Sequence, residues 1–222
     1  MHFNLKTRDK LNGLIVIGRG MIMTGCCALF SISTLATTLM GMDIDDVAER
    51  AELIFEGEVI DSQAQLDSNS GIINTFVTFR VIDLIKGDLG GSSLELKFAG
   101  GEFNGEIVEV SGSTLPMLGE TGIYFVESAS KDMLNPLLGW SQGHFLIKNE
   151  SGQRRVHTVR DNPVTQIQSV SAIPLAIKAP KLLIQDNEGI AAGVTARSRS
   201  LTGNQALSVA DFKRQILDLI EN

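Results

Sequence analysis

The sequence predicts a mainly β protein: a small antiparallel OB-like barrel with a short N-terminal helix and a C-terminal amphipathic helix. Three observations predict it. Short stretches with apolar residues at every second position recur between residues 53 and 159, and period two is the mark of a half-buried strand. Clusters of Gly, Asn, Asp and Ser separate these stretches at regular intervals. No helical pattern long enough to cross over between parallel neighbours lies among them, so the strands pair antiparallel. With five to seven strands expected, a closed or partly open barrel fits better than a two-sheet sandwich.

Residues 43–51 (DIDDVAERA) predict a short helix with Asp43 or Asp45 as its cap. In LIFEGEVID, Leu53, Phe55, Gly57 and Val59 alternate with Ile54, Glu56, Glu58 and Ile60, which makes the first strand. The polar stretch 61–70 reads as a loop. TFVTFRVIDLIKG places Val77, Phe79 and Val81 on one face and Thr78 and Arg80 on the other, and Lys86-Gly87-Asp88 ends it in a turn. Leu94, Leu96 and Phe98 alternate with Glu95 and Lys97 in a third strand, followed by a turn or bulge at Gly100-Gly101. Residues 106–110 (EIVEV) and 121–127 (TGIYFVE) are the fourth and fifth strands, with Pro116 and Gly119 between them. Residues 144–148 (HFLIK) and 155–159 (RVHTV) are two further candidates, joined as a hairpin across 149–153.

From Asp161 to Gln205 the chain shows no period and contains Pro163, Pro174 and Pro180. An extended arm is expected there, with mobile residues near 186–205. The last segment, ALSVADFKRQILDLIEN, is helical: Ser208 with Asp211 forms a capping-box-like start, and Val209, Phe212, Ile216 and Ile220 share one face. That face docks on the barrel or, alternatively, on a partner. No internal repeat is present.

The N-terminus reads as an address. Lys6, Arg8, Lys10 and Arg19 precede an uncharged apolar run over 20–41 (GMIMTGCCALFSISTLATTLMG). A basic flank followed by such a run is the form of a secretory signal, because the positive end stays cytoplasmic while the apolar run enters the bilayer. Cleavage after Gly41 is one reading. An uncleaved anchor is another, since the run is long enough to span. A lipoprotein signal at Met23-Thr24-Gly25-Cys26 and a buried core helix are the remaining alternatives. The expected organisation is therefore 1–41 signal peptide or membrane anchor, 42–160 OB-like β-barrel domain, and 161–222 arm, flexible loop and C-terminal helix.

Composition narrows the function. The formal net charge is -7; without residues 1–41 the chain holds 15 basic and 25 acidic residues, net -10. Such a domain repels phosphate backbones and anionic lipid, and with aromatics at 5% it lacks a base-stacking platform. Nucleic acid is thereby excluded as a partner, and membrane contact is expected only through residues 20–41 if they stay uncleaved. Both cysteines, Cys26 and Cys27, fall in the apolar run. The exported domain then has no disulfide, no thiolate nucleophile and no Cys-ligated zinc.

Three groups of residues carry possible chemistry. Gly139-Trp140-Ser141-Gln142-Gly143 matches the G-x-S-x-G elbow of serine hydrolases, which needs a strand turning sharply into a helix and, later in the chain, an acid and then a histidine. Here a strand-like HFLIK follows, and the downstream histidines are His144 and His157; a shaped turn with Trp140 packed is the expectation. His144 and His157 on neighbouring strands with a nearby Glu could ligate a metal, yet the spacing matches no metal motif. Glu102, Glu106 and Glu109 cluster round a Gly-rich turn, where carboxylates can do acid–base work or hold calcium, although an acidic chain usually solvates such groups. No phosphate-cradling Gly loop occurs. No catalytic, cofactor-binding or metal residue is assigned, and no cofactor is expected.

Residues 51–145 resemble a group of uncharacterised exported bacterial proteins. The likeness lies in Ala51-Glu-Leu-Ile-Phe-Glu-Gly-Glu-Val59, in Thr75-Phe-Val-Thr-Phe-Arg-Val81 leading to Lys86-Gly87, in Gly100-Gly101-Glu102, in Gly119-Glu120 before 123–126, and in Gln142-Gly143-His144-Phe145. The first two blocks also resemble the opening strands of netrin-like and tissue-inhibitor-of-metalloproteinase domains, which implies an OB-type barrel in an exported setting. Inhibitors of that family use a cysteine-linked N-terminus, which this chain lacks, so no active residue transfers. The function expected is an exported, non-enzymatic β domain that binds another protein, an envelope or secreted protease being one candidate. The alternatives are a secreted hydrolase using Ser141 or the acidic cluster, and a membrane-tethered structural envelope domain.

Overall fold

A computed structural model describes residues 39–170, 182–183, 189–196 and 206–221. The chain divides into two units, 1–36 and 37–222, and every described residue belongs to the second. Residues 1–38, which hold Cys26, Cys27 and most of the run expected to be a signal peptide or anchor, lie outside the described residues.

The mainly β class holds. Six strands form one antiparallel sheet: β2 (Leu53–Leu66), β3 (Ile73–Lys86), β4 (Ser93–Ala99), β7 (Thr121–Val126), β8 (His144–Glu150) and β9 (Gln153–Thr158), in the order β4-β3-β2-β7-β8-β9. The sheet is OB-like in its antiparallel order but open, since β4 and β9 end it without pairing to each other. A small hairpin, β5 (Gly101–Phe103) with β6 (Glu106–Val108), follows β4. The expected helices are present as α1 (Ile44–Arg50) and α2 (Val209–Glu221).

Strand alternation puts apolar side chains on both faces of the sheet, and each face has its own core. On the first, Ile54, Ile123, Phe125, Phe145 and Val156 pack with Ile44, Val47 and Ala48 of α1 and with Val209, Phe212 and Ile216 of α2. On the second, Phe55, Val59, Val77, Phe79, Leu96, Phe98, Tyr124, Val126 and Leu137 pack together. Phe55, Phe79 and Tyr124 meet with centroids 4.7–5.5 Å apart, which adds about 1 kcal/mol per pair to simple burial. Gly57 and Gly122 stand opposite each other in the β2–β7 ladder. A β-carbon on Gly122 would lie 2.6 Å from the Phe145 carbonyl and 2.9 Å from the Tyr124 ring, so that site has room only for glycine.

Two expectations change. The loop expected at 61–70 is strand as far as Leu66, because β2 stays paired with β3, itself backed by β4, after β7 has ended. Residues 60–66 of β2 form an edge there and are mostly exposed, so the apolar alternation that marks a strand is missing while the backbone ladder continues. The arm expected from Asp161 is drawn onto the body of the fold. Val164–Ile167 (β10) pairs antiparallel with Val194–Ala196 (β12), and Val164, Ile167 and Ala191 are buried in the first core. Residues 184–188 and 197–205 lie outside the described part.

Two further strands, β1 (Leu39–Met40) and β11 (Leu182–Leu183), pair with each other antiparallel. The β8–β9 hairpin turns at Ser151 and Gly152, both at positive φ (51° and 80°), the pattern of a type I′ turn that matches strand twist. The N-cap of α2 is formed: Ser208 Oγ accepts from Asp211 N–H at 3.1 Å and donates to Asp211 Oδ2 at 2.6 Å. Among the described residues, no helix is long and apolar enough to cross a membrane.

Candidate functional site

The G-x-S-x-G stretch forms the connection into β8. Gly139 (φ 62°) and Trp140 (φ 59°) both adopt left-handed backbone, a conformation that is strained for Trp. Residues Trp140–Gly143 form one 3₁₀ turn, and β8 starts directly at His144. This is a strand entry and not a nucleophile elbow, which needs a helix after the serine. Gly189 packs so tightly on Ser141 Oγ that no β-carbon would fit between them. The buried side chain of this turn is Gln142, 1% exposed. Its Nε2 donates to the Met40 carbonyl (3.1 Å) and the Gly139 carbonyl (3.2 Å), and its Oε1 accepts from Met42 N–H (2.7 Å).

His144 faces the second core. Its Nε2 lies 2.7 Å from Glu120 Oε1, and the Tyr124 hydroxyl donates to the same oxygen at 3.0 Å. The His144 and Tyr124 rings stack with centroids 5.0 Å apart. His144 is 1% exposed and the Glu120 side chain 11%. Among the described residues His144 Nδ1 has no partner, which fits a ring whose proton sits on Nε2. Burial, with the Glu120 carboxylate beside it, holds the Tyr124 phenol far above its ordinary range. Glu120 therefore ties two core rings to the surface.

The segment above this carboxylate is apolar. Met117 to Glu120 is a tight turn: Glu120 N–H donates to the Met117 carbonyl (2.9 Å), and Gly119 sits at φ 80° in its third position. Gly119 N–H donates to the Val59 carbonyl, and Val59 N–H to the Glu120 carbonyl, both at 2.9 Å. Met117 N–H also reaches Glu120 Oε2 at 3.4 Å. The turn is thus fastened to β2, yet Met117 is 70% and Leu118 68% exposed, with Ile60 of β2 at 46%. Exposed apolar side chains on a fixed backbone mark a contact surface more often than a scattered Leu does.

A second polar assembly lies on the first face. Glu56 of β2, 1% exposed, is held by Arg154 at one oxygen and by Lys213 of α2 at the other, and Lys213 also reaches Asp83 at 2.8 Å. Glu56, Arg154 and Lys213, with Arg155, Ser208 and Asp211, line an open groove of about 690 Å³. The groove mixes cations with carboxylates already paired to them, an arrangement that braces α2 against the sheet.

His157 is fully buried, its Nδ1 3.3 Å from the Asp161 carbonyl and 3.2 Å from Asp161 Oδ1, while its Nε2 lies 3.1 Å from Glu150 Oε1 without an aligned hydrogen bond; Lys148 pairs with Asp161 at 2.6 Å. His144 and His157 do lie on adjacent strands, but each is engaged with its own carboxylates and they are not brought to one centre. Glu102, Glu106 and Glu109 stand exposed on and beside the β5–β6 hairpin. Among the described residues no group of three His, Cys, Asp or Glu side chains could hold a metal ion. Sequence reasoning placed Glu120, Gln142 and Glu56 in the blocks that carry the resemblance but gave them no role. For Glu56 the period held a further signal: it shares the parity of Ile54, so period two places a carboxylate on a core-facing position.

Comparison with protein-family models, with curated proteins and with solved structures finds no match.

Proposed function

We propose that this chain is an exported β domain that binds another protein through the turn at residues 116–120. The observation that carries the reading is the pair Met117 and Leu118, at 70% and 68% exposure, on a turn fixed to β2 by backbone hydrogen bonds and to the core through Glu120. A rigid apolar tip loses little conformational entropy on docking, so most of its burial becomes affinity. Each side chain taken fully out of water contributes roughly 1.5–3 kcal/mol, enough to anchor an otherwise polar contact in an acidic protein. Export is supported by the basic stretch before residue 20 and the uncharged run 20–41. The likeness to netrin-like domains makes an envelope or secreted protease the first partner class to test.

The test is crosslinking and co-purification of the tagged full chain from envelope and culture fluid, read by mass spectrometry, beside a Met117→Asp/Leu118→Asp double variant. A recurrent protein is expected with the native chain and is lost with the variant, while both melt at the same temperature. Equal capture by the two forms, or no recurrent partner in either fraction at several growth stages, would sink the proposal.

A further inference from the structure

The folded domain begins before the cleavage point that the apolar run suggests at first sight. Its N-terminal strand is held at four places. Leu39 and Met40 pair with Leu183 and Leu182. The Met40 carbonyl and the Met42 N–H are both taken by the buried amide of Gln142, at 3.1 and 2.7 Å. The Met42 carbonyl accepts from Ala192 N–H, and Ile44 N–H donates to the Ala192 carbonyl, each at 2.8 Å. The Met42 side chain packs against the first core, and Gly139 lies so close that a β-carbon there would be 3.1 Å from Met42 Sδ. A buried primary amide is expensive to leave unpaired, and here one amide reads the backbone on both sides of Gly41. Cutting after Gly41 would discard Leu39, Met40 and the Met40 carbonyl that Gln142 is built to hold.

Sequence chemistry gives the same answer independently. Signal peptidases accept small residues at the first and third positions before the cut. Gly41 has Leu39 at its third position, which is bulky, whereas Thr34-Leu35-Ala36 presents a small residue at both. From the Gln142 clamp on Met40 and Met42 together with this small-x-small triplet, we infer that the targeting segment is removed between Ala36 and Thr37, so that residues 39–42 remain in the mature protein as part of its fold. Water adds across that peptide bond under a membrane-bound signal peptidase, leaving a carboxylate on Ala36 and an ammonium group on Thr37. The inference rests on the proposed export.

The test is expression of the full chain with a C-terminal tag in a bacterial host, separation of cytosol, envelope and medium, and N-terminal sequencing with intact-mass measurement of each fraction. The expected exported species starts at Thr37, and Ala36→Leu makes it disappear in favour of the uncut precursor, because Leu does not fit the first position. An exported species starting at Met42, at Thr34 or at Met1 overturns the inference while leaving export standing. An uncut chain confined to cytosol overturns both.

Discussion

Glu120 joins surface to core through a single shared carboxylate oxygen. One oxygen serves both the Tyr124 hydroxyl and His144 Nε2, and both partners are essentially buried. Truncation to Ala strands two buried polar groups, at roughly 1–3 kcal/mol each. Because Glu120 keeps 11% of its side chain in contact with solvent, water fills part of the gap and the loss falls toward the lower end. The expected result is that Glu120→Ala lowers unfolding free energy by about 2–3 kcal/mol in urea titration, while Glu120→Gln, which keeps an acceptor oxygen, loses only about 1 kcal/mol. A loss under about 0.5 kcal/mol for the Ala variant, the size of an ordinary surface change, would show that the shared oxygen contributes little. Such a residue carries no pattern in the sequence: a lone Glu at a strand entry looks like any solvated charge. Gln142 is equally silent, since its partners at Met40 and Met42 are distant in the chain.

Elements were legible where burial imposes a period and illegible where it does not. The strands β2, β3 and β4 show apolar alternation, whereas β7 shows a continuous apolar run from Ile123 to Val126 because both of its faces are buried. Of the pairs β5–β6 and β10–β12, with three or four residues per strand, only β6 was expected, as residues 106–110; the other three are too short to reveal a period. Helix α2 was legible to its cap: Val209, Phe212 and Ile216 are buried, and Ser208 and Asp211 bond reciprocally. That cap makes a pH prediction. Hydrogen bonds from Ser208 first, then from Arg214, hold the Asp211 carboxyl below its ordinary value of 3.8. A carboxyl depressed in the folded state contributes stability that is complete above the unfolded value and fades as pH falls through the lower folded one. In Asp211→Asn the native-minus-variant difference in melting temperature is therefore expected to be constant from neutral pH down to about 5, as the ordinary carboxyl range requires, and to shrink progressively below pH 4. A difference that persists unchanged at pH 2 would show that the cap acts through shape alone.

The described residues are built round one six-stranded sheet with two cores, and only the second is completed by the sheet strands and their loops. The first core takes Ile44, Val47 and Ala48 from α1, but it also takes Val164, Ile167 and Ala191 from the segment that follows the sheet and Val209, Phe212 and Ile216 from α2. The open edge at β9 is treated the same way. Val156 N–H donates to the Leu207 carbonyl at 3.0 Å, Arg155 bridges to Ser208, and His157 bridges to Pro163. Residues after 160 thus cover an apolar face and an unpaired edge at once, and either one left bare promotes aggregation. They also supply Lys213, whose loss would leave the buried Glu56 with Arg154 alone, and breaking a buried ion pair costs about 3–5 kcal/mol. Against a typical domain stability of about 5–15 kcal/mol, losing Phe212 and Ile216 at roughly 2–5 kcal/mol each is by itself nearly enough to unfold the sheet. A chain ending at residue 160 is accordingly expected to be insoluble, or soluble with strong binding of a hydrophobic dye and no cooperative melt, whereas the chain running to residue 222 melts in one transition. If the shortened form melts cooperatively and resists protease as the longer one does, the segment after 160 is an appendage, and the first core must close by some other packing of Phe125 and Phe145.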